Sequence, residues 1–202
     1  MKYFLQGITM GLAYVAPIGL QNLFVINTAL TQKKSRAYIT ALIVIFFDVT
    51  LALGCFFGIG SIMEKSKLLE MGILLIGSLI VIYIGIGLLR AKGNMDSSTD
   101  VNVPLMKVIT TACVVTWFNP QAIIDGTMML GAFRASLPKE EAMKFITGVA
   151  LASCMWFVGI TTFISVFSSR ITNNILRGIN IVCGTVIIFY GGKLLYTFIQ
   201  ML

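Results

Sequence analysis

The stretch YFLQGITMGLAYVAPIGLQNLFVINTAL, Tyr3 to Leu30, decides how the rest of the chain is read. It is long and apolar enough to cross a bilayer, yet it is interrupted at its middle by APIGLQN, Ala16 to Asn22. Proline removes a backbone donor and displaces the carbonyl four residues earlier, while glycine permits unusual dihedrals, so the helix is expected to split into two halves. The amides and carbonyls freed by the split can act as ligands. In hydrocarbon such a break survives only where it is buried in protein or lines a wet cavity, and a half-helix N-terminus there favours a carboxylate. A simple proline kink is the plainer alternative for one break taken alone.

Five more apolar stretches follow, approximately Ala37 to Met63, Leu69 to Leu89, Leu105 to Phe133, Ala142 to Phe167 and Ile175 to Leu202. As a helix, even the shortest reaches about 30 Å, the thickness of a hydrocarbon core. Helices are expected because unpaired backbone groups are too costly in lipid. Composition agrees, with 57% hydrophobic and 11% charged residues, against roughly 25% charged in an ordinary soluble domain. The expected fold class is therefore an all-α integral membrane protein of about six transmembrane helices, a single domain over residues 1–202. Cleavage after Ala16 would put bulky Tyr14 where a signal peptidase needs a small residue and Pro17 just past the bond, so the first segment is read as retained.

The net charge is +7, but the Lys and Arg side chains are spread over short connections instead of gathered on one face, which argues against a nucleic-acid partner. Basic loops match the positive-inside bias and meet anionic lipid headgroups. Connections one, three and five carry eight basic residues and the other face six, which favours both termini outside. Cys55, Cys113, Cys154 and Cys183 stand singly within apolar runs and the sequence has no histidine, so no zinc, haem or dithiol cofactor is expected.

The one long connection, Arg90 to Pro104, is polar and falls at the midpoint, which suggests repeat halves of about 1–95 and 104–202 joined by a linker at about 91–104. Pro17 to Asn22 can be laid on Pro120 to Asp125, and YIGIGLLRA (Tyr83 to Ala91) on FYGGKLLYT (Phe189 to Thr197). Three crossings is an odd number, so the second half enters from the opposite face and the expected architecture is an inverted 3+3 repeat with helices 1 and 4 broken. Chance similarity between apolar helices is the alternative.

Helix 4 carries its own break at WFNPQ, Trp117 to Gln121. Two aspartates also lie inside apolar runs, Asp48 in VIFFDVTLA and Asp125 in AIIDGTMML. Each costs about 2.5 to 3.5 kcal/mol near a helix centre on insertion scales, so something must offset it. An ion pair with Lys193 is one answer; facing water, a cationic substrate or a coupled proton is the other. Gln21, Asn22 and Asn119 can add neutral hydrogen bonds that hold an amino group or orient a carboxylate. Tyr14 and Trp117 are read as packing or interfacial residues. Gly85 and Gly87, or Gly191 and Gly192, allow close helix packing within one chain or in a homodimer.

Other functions fit less well. Oxygen ligands from Asp48, Asp125, Asn22 and Asn119 would suit a divalent cation. An intramembrane aspartyl protease would carry its aspartates in Y-D and G-x-G-D, whereas here they stand in F-F-D-V and I-I-D-G. A purely structural subunit would pair its aspartates internally and keep both breaks dry.

With these residues in view, the chain resembles the lysine exporter (LysE) superfamily of small membrane amino-acid exporters over its full length. The family's P-x-G-P-Q-N in helix 1 is represented by Pro17, Gly19, Gln21 and Asn22, with a departure at Leu20 where a second proline stands in the family. Its W-[LF]-N-P followed by an aspartate matches Trp117, Phe118, Asn119, Pro120 and Asp125, and its helix-2 aspartate matches Asp48. The resemblance implies a multi-pass inner-membrane protein, not an enzyme, that exports amino acids without ATP. It implies coupling to the proton gradient and alternating access around a midplane site. The run from Leu23 to Asn27 and the paired aspartates look more like the lysine and arginine branch than the threonine and homoserine branch. Carried over residue by residue, the substrate-binding or proton-coupling set is Gln21, Asn22, Asp48, Asn119 and Asp125, with Pro17, Gly19 and Pro120 shaping the breaks.

Overall fold

A computed structural model describes residues 1–17, 19–58, 67–90, 104–131, 133–134, 137–167 and 173–201. Among them every regular element is helical: α1 (Lys2–Val15), α2 (Leu20–Thr31), α3 (Lys34–Phe57), α4 (Lys67–Arg90), α5 (Leu105–Trp117), α6 (Pro120–Gly126), α7 (Ala142–Phe167) and α8 (Asn173–Met201). A π-helical turn at Thr127–Gly131 extends α6, and a 3-10 turn at Lys139–Glu141 leads into α7. Most of the linker expected at about 91–104 lies outside the described residues, as do the side chains of Cys183 and Lys193.

Both expected breaks are present. The first apolar stretch is two helices, α1 and α2, whose axes meet at 77° across Ala16–Gly19. The fourth is α5 and α6, parted at Phe118 and Asn119. Helix α3, and α7 with its leading turn, are each long and apolar enough to cross a membrane, and the bent α1–α2 pair passes the same test as one span. At about 1.5 Å per residue α4 and α8 also exceed 30 Å. The outer surfaces of α3 and α7 agree with a lipid solvent, since Leu42, Phe46, Phe163 and Val166 all stand exposed.

Side-chain contacts fix the directions. Along α3 and α7, Tyr38 meets Thr162, Asp48 meets Ser153 and Phe56 stacks on Phe145, so these two helices run antiparallel. Helices α1 and α7 run parallel and very close. A Cβ on Gly7 would collide with the Phe145 carbonyl oxygen, and one on Gly148 with that of Phe4. Only glycine permits that approach, which is the small-residue packing by which helices associate in lipid. Helices α4 and α8 pack mainly on each other, with Gly184 against the Gly85 carbonyl.

The end of the bundle holding the start of α7 and the end of α3 is closed by an aromatic stack. Phe145 lies between Phe56 and Phe133, with ring centroids 5.7 and 5.3 Å apart, and the Arg134 guanidinium sits 5.8 Å over the Phe56 ring. Leu130, Ala52 and Val149 pack around it without exposure.

Candidate functional site

The first break is held open by one side chain. Helix α1 ends with the Ala16 amide bonded to the Leu12 carbonyl, and α2 starts at extended Gly19, whose carbonyl accepts from the Leu23 amide. Two carbonyls are stranded between them. Asn22, 2% exposed, folds back so that Nδ2 donates to the Val15 oxygen at 3.0 Å and the Pro17 oxygen at 2.8 Å. Its Oδ1 accepts from Trp156 Nε1 at 2.7 Å. Asn22 was expected to face a ligand; its polar atoms here hold the ends of the break together.

Beside this cap lies Asp48, 1% exposed in the middle of α3. Each carboxylate oxygen has a donor: Gln21 Nε2 reaches Oδ1 at 3.2 Å and Ser153 Oγ reaches Oδ2 at 2.5 Å. A hydrogen bond to a charged group contributes about 1.5 to 3 kcal/mol, so two of them match the cost of placing an aspartate in the membrane. Gln21 Nε2 also donates to Thr116 Oγ1 at 3.0 Å, tying α2 to α5 just ahead of the second break. The neighbouring Trp117 Nε1 donates to Thr50 Oγ1 at 3.2 Å, two residues beyond Asp48 on α3.

The second break is built differently. Asn119 is the N-cap of α6, its carbonyl accepting from the Ile123 amide, and Pro120 is the first helical residue, where a missing amide costs nothing. Asp125 is half-buried near the end of α6, next to Gly126, whose backbone abuts Cys55 and Tyr14. Gln21 and Asp48 are thus in contact, Asn22 is adjacent but turned to the backbone, and Asn119 and Asp125 sit on the α5–α6 side.

The two breaks start their second helices in different relation to proline. Helix starts place Leu20 against Pro120 and Gln21 against Gln121, because Gly19 and Asn119 are the two N-caps. Pro17 precedes the first of these N-caps by two residues, whereas Pro120 directly follows the second. In this register Leu20 occupies the first helical position, the site of the family's second proline, so its replacement leaves α2 intact.

A cavity of about 340 Å³ leads toward this cluster. Its rim holds Thr31, Gln32, Arg36 and Lys107, at the end of α2 and the starts of α3 and α5. Its floor is Leu20 and Val115, the residues next to Gln21 and Thr116. Gln21, hydrogen-bonded to both Thr116 and Asp48, connects the residues next to this floor with the buried carboxylate, and the aromatic stack closes the other end of the bundle. Among the described residues no three His, Cys, Asp or Glu side chains cluster.

Sequence reasoning missed Ser153, Thr116 and Trp156. Trp156 is one of only two tryptophans, which was a usable signal. A lone serine or threonine in an apolar helix gives none.

The LysE type translocator family model matches residues 12–197. The arginine exporter protein ArgO of Salmonella typhi is 28% identical over 191 residues, spanning 92% of this chain and 90% of that protein. ArgO of Klebsiella pneumoniae (strain 342) is 28% identical over 197 residues, 95% and 92% of the two chains. No solved structure matches. With apolar helices able to span, this is a multi-pass inner-membrane protein. A match running from within α1 to within α8 takes in both breaks and both aspartates, and the chain belongs to the LysE type translocator family.

Proposed function

We propose that the protein is a secondary exporter of basic amino acids, arginine first among them, coupled to the proton gradient. The observation that carries this reading is a cavity open at one end of the bundle, floored beside a buried, hydrogen-bonded aspartate and sealed beyond it by stacked aromatic rings. That is the form of an alternating-access transporter open to one side. The names of the relatives, both arginine exporters, support the substrate class.

In this mechanism the amino acid enters past Arg36 and Lys107, which lie on the face that the charge count assigns to the cytoplasm. Its cationic group displaces Gln21 from Asp48, exchanging a neutral donor for a charged one, which gives a stronger bond. Asp125 and Asn119 complete the site from the α5–α6 side, and the extended start of α2 at Gly19 favours the substrate carboxylate. Release requires the Phe56–Phe145–Phe133 stack to part while the cavity closes, and proton binding at an aspartate resets the site.

Helix neighbours support an inverted repeat. Exchanging each span for its counterpart in the other half turns the α1–α7 contact into the α3–α5 contact and maps α4–α8 and α3–α7 onto themselves; all four are present.

Efflux of radiolabelled arginine, lysine and threonine from loaded cells tests the proposal, using wild type, Asp48→Asn and Asp125→Asn with and without a protonophore. Arginine efflux that is lost with the protonophore and in both variants is the expected result. Threonine efflux alone would move the substrate to the neutral class, and no efflux of any would overturn the reading.

A further inference from the structure

Tyr14 occupies a place that packing does not explain. It stands one residue before the carbonyl that Asn22 captures, at the junction of the two apolar clusters that flank the site. Its ring edge meets the backbone of Gly126: a Cβ there would lie 3.3 Å from Tyr14 Cε2 and 2.9 Å from Cys55 Sγ. Alanine at 126 would press on Cys55 Sγ and crowd the ring edge, so the glycine following Asp125 leaves room for both. The ring therefore lies beside the residue that follows Asp125, and it packs in the same cluster as Phe47 and Val49, the two neighbours of Asp48.

That hydroxyl is buried and has no hydrogen-bond partner among the described residues. Burying a hydroxyl without a partner is unfavourable, and phenylalanine would fill the same volume without that cost. A group kept at a cost to stability beside the chain neighbours of two carboxylates fits a binding role better than a packing one.

We propose that Tyr14 is a substrate-contacting residue, its phenol oxygen accepting a hydrogen bond from the cationic group of the amino acid held between Asp48 and Asp125. This rests on the export reading above. The phenol adds an uncharged acceptor where a third carboxylate would be too costly. It also spans the bend, since Tyr14 belongs to α1 while Gln21 belongs to α2, so one bound cation ties both halves of the broken helix to α3 and α6.

The test compares wild type, Tyr14→Phe and Asp48→Asn in arginine efflux at varied internal arginine, with thermal unfolding of each purified protein in detergent. For Tyr14→Phe the expected result is a KM raised on the order of tenfold, with unfolding at the same or a higher temperature than wild type. Wild-type KM in that variant overturns the inference alone, provided Asp48→Asn is inactive. A marked fall in its unfolding temperature also overturns it, by showing the hydroxyl to be structural. Absence of arginine efflux from the wild type overturns the export reading and this inference together.

Discussion

Asn22 and Ser153 show what a single polar group does in this chain. Asn22 donates twice to stranded carbonyls and accepts once from Trp156. Asn22→Asp keeps the shape but sets a carboxylate against two carbonyl oxygens, so the protein should lose about 2 to 6 kcal/mol, the loss of two buried donors. Thermal unfolding in detergent measures it, and a stable variant would contradict the capping role. Ser153→Ala removes one of the two donors to Asp48 and should cost about 1 to 3 kcal/mol by the same measurement, with slowed efflux. The sequence marked Asn22 as unusual, because a carboxamide near a proline in an apolar run demands a partner. It could not say which partner: whether the amide turns to a ligand or to its own backbone depends on where the α1 carbonyls end, and that is set by the tertiary bend. Ser153 was invisible for another reason. Its hydroxyl can bond to its own helix, as it also does weakly to the Val149 carbonyl, so a serine in a membrane helix announces nothing about the neighbour it faces.

At the scale of elements, both breaks were legible because proline and glycine act on the backbone itself. Their register was not. Two prolines in similar contexts suggested an alignment, yet Pro17 precedes the N-cap of α2 while Pro120 follows that of α6. The structural register yields a prediction. Leu20→Pro places proline at the first helical position, after a residue already extended (φ −117°, ψ −170°) as the residue before a proline prefers. It should fold, costing at most about 1 to 2 kcal/mol for the lost leucine packing, and retain efflux; a misfolded variant would refute the register. The opposite outcome is expected where α1 and α7 touch. Gly148→Leu drives a side chain into the Phe4 carbonyl and should destabilise by about 3 kcal/mol or more, seen as lost membrane abundance and a lowered unfolding temperature.

Across the whole molecule, the asymmetry between an open end and a sealed end makes a prediction about sidedness. With the native cysteines replaced, Thr31→Cys and Lys107→Cys should react with a membrane-impermeant thiol reagent in inside-out vesicles and not in right-side-out ones. Labelling only in the latter would reverse the orientation argued from loop charge. The lengths of α3 and α7 followed from hydrophobic run length, since lipid leaves few choices. The cavity did not, because it depends on which helix faces separate, and apolar runs look alike on every face.

The 77° bend of the first span also sets a schedule for making the protein. Neither α1 nor α2 is long enough to cross alone, and the cap on their junction is completed by Trp156, 134 residues later in the chain; Asp48 waits 105 residues for Ser153. At about 5 to 20 residues per second, that is roughly 5 to 27 s during which the emerging N-terminal half carries incompletely satisfied polar groups. The first half should therefore depend on the insertion machinery until α7 arrives, and chains truncated before α7 should be cleared faster from the membrane than the full chain.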